Sequence, residues 1–283
     1  MLQPDFHMAF TGDSFQDKEK FCNLVLVDQD SLSYALFDKS SLTPVCLKYF
    51  YCGSLGLIEH EDSIREVLNS DEVLKEDFET VLVYGFPYSC LVPDAYFEEE
   101  LGAQLLNFSY GTLDRAKLRQ EKVPWWDLHN VYRIPVNIEH LFSQRFDNSK
   151  KYHFYSLLLK SHKKYLQSGQ KDILDLIFYR ERMVVSAYKS DHLQILQNFD
   201  YEGAEDVVYN LLNCSSRFAY DQEQVRLQLS GFIEKNSAIY HELAKYFTNI
   251  SFQEMGLPGR WNKEQVQFPE HFFSTLLNLT SCV

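Results

Sequence analysis

One order of elements occurs twice along the chain. Within residues 171–232, three strand-like runs at 173–178, 183–188 and 193–196 are separated by Arg180-Glu181-Arg182 and Lys189-Ser190-Asp191. Short charged connections of this length are what antiparallel hairpins use. A helical run over 204–212, with Val207, Val208, Leu211 and Leu212 at helix-face spacing, leads to a strand at 225–229 that lands on Ser230-Gly231. The first half reads the same way: strands at 22–27, 32–37 and 45–50, a helix at 63–74 and a returning strand at 78–86. Each half is thus β-β-β-α-β, and tandem copies of one supersecondary unit imply two like-folded α/β halves.

Material outside the repeat falls in three places. Residues 1–20 are polar with isolated aromatics and are expected to form a loose arm. After Phe86-Pro87 comes an insertion: a short strand at 88–93, a helix at 94–106 with Glu98-Glu99-Glu100 near its positive end, and strands at 119–126 and 131–134. Helices at 136–146 and 154–166 follow. Beyond Gly231 the pattern gives a helix at 237–247, a strand at 250–252, a polar loop with Pro258-Gly259 and an apolar closing helix begun by Pro269. The expected domains are 21–150, carrying the insertion, and 151–283, carrying the closing helix.

Charge and cysteine usage narrow the class. A net charge of −13 leaves little excess cation to displace counterions from a nucleic acid, and it disfavours an anionic membrane surface. Six cysteines include no Cys-x-x-Cys pair and several sit in apolar runs, as reduced core thiols do. No run is long enough to span a membrane and residues 1–15 lack a signal-peptide pattern, so a cytoplasmic protein is expected. His241-Glu242 has no second histidine at zincin spacing, and Ser230-Gly231 lacks the flanks of a hydrolase elbow. Neither a metal nor a catalytic residue is expected.

Duplicated halves of this kind, joined by a helix, resemble the actin-like ATPase fold, in which two ribonuclease H-like domains face a cleft. The insertion after Phe86-Pro87 is similar to that of cell-division and pilus-assembly members. More narrowly, Asp30-Ser31-Leu32-Ser33-Tyr34-Ala35-Leu36-Phe37-Asp38, Leu91-Val92-Pro93, Leu229-Ser230-Gly231 and the ending Leu276-Leu277-Asn278-Leu279-Thr280-Ser281-Cys282-Val283 resemble a bacterial family of unknown function with this fold.

The resemblance implies two phosphate-holding hairpins, each usually with Asp then Gly, because only a residue without Cβ lets backbone approach a phosphate. Here the first hairpin is Asp28-Gln29-Asp30-Ser31, with Asp28 where a magnesium-facing carboxylate would sit and Asp30 in the glycine's place. The second, Tyr179-Arg180-Glu181-Arg182, has no glycine. Ser230-Gly231 alone resembles the adenosine-side motif. Solvated charged tips are expected at both hairpins. Across a cleft, Arg180 and Arg182 could pair with the acidic tip or take another anion. The implied function is a non-hydrolysing binding or scaffold protein whose partner is another protein and which needs no cofactor. The alternative is an ATPase or phosphotransferase using ATP and magnesium through Asp28, Ser31, Ser230 and Gly231. Trp125-Trp126 adds a partner-binding candidate, since adjacent strand residues point to opposite faces and both indoles cannot be buried together.

Overall fold

The computed structural model describes residues 3–9, 17–53, 57–123, 125–166, 172–254 and 268–283. The Pro258-Gly259 turn lies outside them. The elements are β1 (Phe6–Ala9), β2 (Phe21–Val27), β3 (Ser31–Asp38), β4 (Pro44–Tyr51), α1 (Leu57–Ser70), β5 (Glu79–Tyr84), β6 (Ser89–Pro93), α2 (Glu99–Tyr110), β7 (Ala116–Val123), β8 (Leu128–Pro135), α3 (Val136–Arg145), β9 (Lys150–His153) and α4 (Phe154–Leu166). Then come β10 (Asp172–Phe178), β11 (Arg182–Lys189), β12 (His192–Asp200), α5 (Ala204–Arg217), β13 (Arg226–Gly231), α6 (Ala238–Leu243), β14 (Ile250–Phe252) and α7 (Ser274–Leu279). Among the described residues, those up to Ser161 together with Leu279–Val283 form one compact unit, and 162–254 with 268–278 form the other. The division falls within α4, and the expected boundary at 150/151 falls inside β9.

The first unit is built on a sheet of order β1-β4-β3-β2-β5-β9, the second on β12-β11-β10-β13-β14. Their registers repeat. Val27 pairs with Leu32 and Tyr84 in the first unit, and the corresponding neighbours of Phe178 are Met183 and Gly231 in the second. The pairing of second and third strands carries a register shift at the matching place in each unit, between Leu36 and Phe37 of β3 and between Ala187 and Tyr188 of β11. The central strands β2 and β10 are near-continuous apolar runs, as strands covered on both faces must be. The cores are correspondingly dense: Val25, Leu32, Ile64 and Leu82 in one unit, Leu174, Val185, Leu211 and Leu229 in the other.

Three expectations fail for identifiable reasons. The arm is not wholly loose. Phe6–Ala9 add β1 antiparallel to β4, with Met8 buried, Phe6 edge-on to Tyr49 and Asp5 accepting the Tyr51 N–H at 2.7 Å. Helix α1 stops at Ser70, not Leu74, because the Asp71 carboxylate takes the N–H groups of Val73 (2.9 Å) and Leu74 (3.1 Å) into a turn. Residues 150–153 form the parallel strand β9, too short and too lysine-rich to show in the pattern. The insertion is a separate three-stranded sheet, β6-β8-β7, whose one face packs on α2 through Val92, Leu106 and Val131.

Candidate functional site

The first hairpin turns between β2 and β3, where the Asp28 N–H donates to the Ser31 carbonyl at 2.9 Å. Asp28 is only 1 % exposed. Its Oδ1 accepts the N–H of Gln29, the next residue of the turn, at 2.6 Å. Its Oδ2 lies 2.9 Å from where a Cβ on Gly85 would stand, so the carboxylate rests on the glycine at the end of β5. The Gly85 N–H in turn donates to the Val27 carbonyl at 2.8 Å. Asp30 and Ser31 are buried as well, and the Asp30 carbonyl accepts the Cys52 N–H at 2.7 Å. Burial, with the Asp30 carboxylate adding to it, pushes the Cys52 thiol up to about 12. His60 on α1 is 2 % exposed beside the same turn. Burial holds its pKa below the usual imidazole range, against the opposing pull of Asp30 and of a hydrogen bond to the Asp28 backbone.

The second hairpin has the same turn, with the Tyr179 N–H donating to the Arg182 carbonyl at 2.8 Å. Its chemistry differs. Arg182 is 2 % exposed and its guanidinium lies 3.7 Å from the centre of the Tyr179 ring. The Tyr179 carbonyl accepts from the Tyr201 hydroxyl at 2.5 Å. Only Arg180 and Glu181 are exposed at this turn. Solvated tips therefore describe that pair and not Asp28, Asp30 or Arg182. Period-2 patterning describes strands, and it carries no information on how deeply a two-residue turn is sunk.

At the end of β13 the Ser230 hydroxyl is wholly buried, bonded to Thr275 Oγ1 at 3.0 Å and donating to the Leu176 carbonyl at 3.3 Å. Gly231 has φ +77°, and a Cβ there would stand 2.1 Å from the Phe178 carbonyl oxygen. Its glycine is thus required by the sheet itself. Next to it Phe232, Phe272 and Phe273 pack edge to face, with ring centres 5.6 and 5.9 Å apart, and Phe268 closes on Phe273 at 5.1 Å.

β7 ends at Val123, not Trp126, so both tryptophans lie in the turn beyond the strand and it is the turn, not strand alternation, that separates them. Trp126 donates its indole N–H to the Leu159 carbonyl at 2.9 Å. Trp125 is 73 % exposed at the β7–β8 connection with φ +77°, a left-handed backbone that a bulky side chain rarely adopts. Tyr96 is also exposed near this end, where the Asp94 N–H donates to the Asp127 carbonyl at 2.8 Å.

Sequence reasoning missed Gly85 and His60. The only available signal for the former was a glycine directly after an apolar strand; for the latter there was none. A cleft of about 380 Å³ opens at the opposite end of β5, lined by Glu76, Asp77, Glu79, Arg145 and Asp147. Three of its carboxylates are paired: Glu79 with Lys39 at 2.9 Å, Asp77 with Arg145 at 3.3 Å and Glu76 with Lys18. Among the described residues no three His, Cys, Asp or Glu side chains group to hold a metal ion, and no helix is long and apolar enough to cross a membrane.

Comparison with solved structures fits this architecture. A Bacteroides thetaiotaomicron protein with actin-like ATPase fold and unknown function is similar over 95 % of this chain and 99 % of its own, at 13 % identity and TM-score 0.78. PilM, in a PilM-PilN type IV pilus biogenesis complex, is similar over 92 % of this chain and 98 % of its own, at 12 % identity and TM-score 0.56. The cytoplasmic domain of EpsL, an inner membrane component of the Vibrio cholerae type II secretion system, gives 11 % identity, coverage of 92 % and 93 %, and TM-score 0.45. No curated protein matches the sequence. Identities this low show the fold alone, which is the actin-like ATPase fold. Kinship rests instead on the match of residues 13–250 to one family model, so the chain belongs to the family described as Protein of unknown function (DUF3822).

Proposed function

We propose that this chain is a binding or scaffold protein that keeps the actin-like architecture without hydrolysing a nucleotide. One observation carries the reading. In the first hairpin, Asp28 uses its own carboxylate to satisfy the Gln29 N–H and to cover Gly85, filling with negative charge the place where turn amides would face a phosphate. A triphosphate entering there would meet Asp28 and Asp30 in a buried environment, where like charges are poorly screened. The second hairpin supports the same reading through its lack of glycine, and Ser230 through a hydroxyl committed to Thr275.

The work left to such a fold is recognition, with another protein as partner in a reducing compartment, as six unpaired cysteines suit. Trp125 is the proposed anchor. Exposed indoles are favoured hot spots, and a non-glycine residue held at φ +77° is the kind of backbone outlier that clusters at functional sites. That PilM, of the same fold, occurs in a complex with PilN makes a protein ligand a natural use of the architecture. The competing reading, an ATPase or phosphotransferase, rests on Asp28 being a buried carboxylate at the end of β2, where magnesium could be held through water. Magnesium-dependent ATP hydrolysis by the purified protein, absent on the first reading and lost in Asp28→Ala on the second, separates them.

A further inference from the structure

The two units treat their third strand differently. In the first, the outer edge of β4 is covered: Phe6–Ala9 of β1 pair antiparallel with Tyr49, Lys48, Leu47 and Cys46. Matching the two register shifts aligns Cys46 with Ile195 and Tyr49 with Asn198, so the corresponding stretch of the second unit is residues 195–198 of β12. There the sheet ends. Among the described residues no strand pairs with the outer edge of β12.

That edge lacks the usual protection. Exposed edge strands are generally kept from pairing by lysine, proline or brevity. β12 is nine residues long, His-Leu-Gln-Ile-Leu-Gln-Asn-Phe-Asp, with no lysine, arginine or proline. Where β4 has Lys48, held by Asp71 at 2.8 Å, β12 has the uncharged and exposed Gln197. Leu193, Ile195, Leu196 and Phe199 are each half-buried, leaving apolar surface on both faces of the rim. The register shift near Gln194 does not block addition, because β1 pairs right beside its counterpart on β4.

We propose that β12 is a strand-addition site and that its occupant is β12 of a second copy of this chain, running antiparallel about a two-fold axis. The strand is self-complementary in that direction. Its titratable side chains stand at its two ends, His192 and Asp200, so with Gln197 on the axis Asp200 comes opposite Gln194 and no like charges face each other. In the same register Ile195 comes opposite Phe199 and Leu196 opposite Asn198. Backbone hydrogen bonding supplies the affinity in this mode, with rim side chains fixing register. The result joins two five-stranded sheets into one. This inference is independent of what the phosphate hairpins do.

The test is the mass of the full chain in solution, by sedimentation equilibrium or light scattering across micromolar concentrations. The wild type is expected at twice 33.3 kDa. Gln197→Lys sets two like charges at the axis and is expected to halve the mass with unchanged circular dichroism, since the residue is exposed, and with a melting temperature lowered only by the lost association. Gln197→Glu does the same alone, and an equimolar mixture of the two variants restores the dimer. A wild type that stays at the monomer mass overturns the proposal. So does a dimer that both charged variants leave intact, which would place the contact elsewhere.

Discussion

The carboxylate of Asp28 lies on the α-carbon of Gly85, its Oδ2 2.9 Å from the position a Cβ would take. Gly85→Ala therefore has to push Asp28 off both Gly85 and the Gln29 N–H. Overpacking a buried site in this way costs about 1–3 kcal/mol. Urea unfolding is expected to show a loss in that range, and Asp28→Ala in the same background should recover part of it. An unaffected midpoint in Gly85→Ala would mean the carboxylate has somewhere else to go.

Gly231 and Gly111 offer a matched pair. Both have positive φ, +77° and +71°, but a Cβ at Gly231 meets the Phe178 backbone at 2.1 Å while one at Gly111 meets nothing within 4 Å. Gly111→Ala should cost about 1–3 kcal/mol, the conformational term alone, since φ +71° with ψ −176° is a region essentially reserved for glycine. Gly231→Ala adds a collision with main chain that no rotamer relieves, and a loss of more than about 3 kcal/mol or failure to fold is expected. Equal losses would refute the steric account.

The fold was legible where periodicity speaks. Alternating and continuous apolar runs placed the repeated strands to within a few residues, since both faces of β2 and β10 are covered. Residues 154–166 and 250–252 read as the structure has them. What escaped were features decided by a distant partner. Strand β9 exists because Lys150–His153 meet β5, and β1 because Met8 and Phe6 find β4. Helix α5 runs on to Arg217 because Cys214 and Ser215 are buried, although the polar run Asn213-Cys214-Ser215-Ser216 looks like a stop. At the candidate site the identities of Asp28 and Ser230 were readable, but their burial and the Asp28–Gly85 contact depend on packing that no local pattern encodes.

His153 makes a pH prediction. It is fully buried at the end of β9, its Nε2 bonded to the Phe86 carbonyl at 2.9 Å and its Nδ1 accepting the Tyr155 N–H at 3.2 Å. Burial lowers its pKa to about 4 from 6.5. The unfolded chain thus takes this proton first, and the stability His153 contributes is full above 6.5 and falls as pH drops from 6.5 toward 4, by at most about 3 kcal/mol. Glu121, whose side chain accepts the His153 N–H at 2.9 Å, works the other way. Burial raises its carboxyl to about 6 from 4.5, so its contribution grows as pH falls across that interval. Glu121→Gln should accordingly steepen the acid loss seen in urea midpoints, and adding His153→Gln should flatten it. A Glu121→Gln profile no steeper than wild type would contradict the assignment.

The tryptophans should divide stability from recognition. Trp126→Phe removes the bond to the Leu159 carbonyl and is expected to cost about 0.5–1.5 kcal/mol. Trp125→Ala removes an exposed side chain and should change stability by less than about 0.5 kcal/mol. In a pull-down against candidate partners, Trp125→Ala should lose affinity by about thirtyfold, the cost of a 2 kcal/mol anchor. Retained binding in Trp125→Ala with loss in Trp126→Phe would move the contact off the β7–β8 connection.

The most direct test of the central claim is a thermal-shift titration with ATP and magnesium. A ligand present at a hundred times its Kd stabilises the folded state by about 2.7 kcal/mol, enough to raise the melting temperature by several degrees. With Asp28 occupying its own turn, the melting temperature of the wild type is predicted to stay where it is at millimolar nucleotide. A saturable rise in the wild type that disappears in Asp28→Ala would contradict the account and make the hairpin a working nucleotide site.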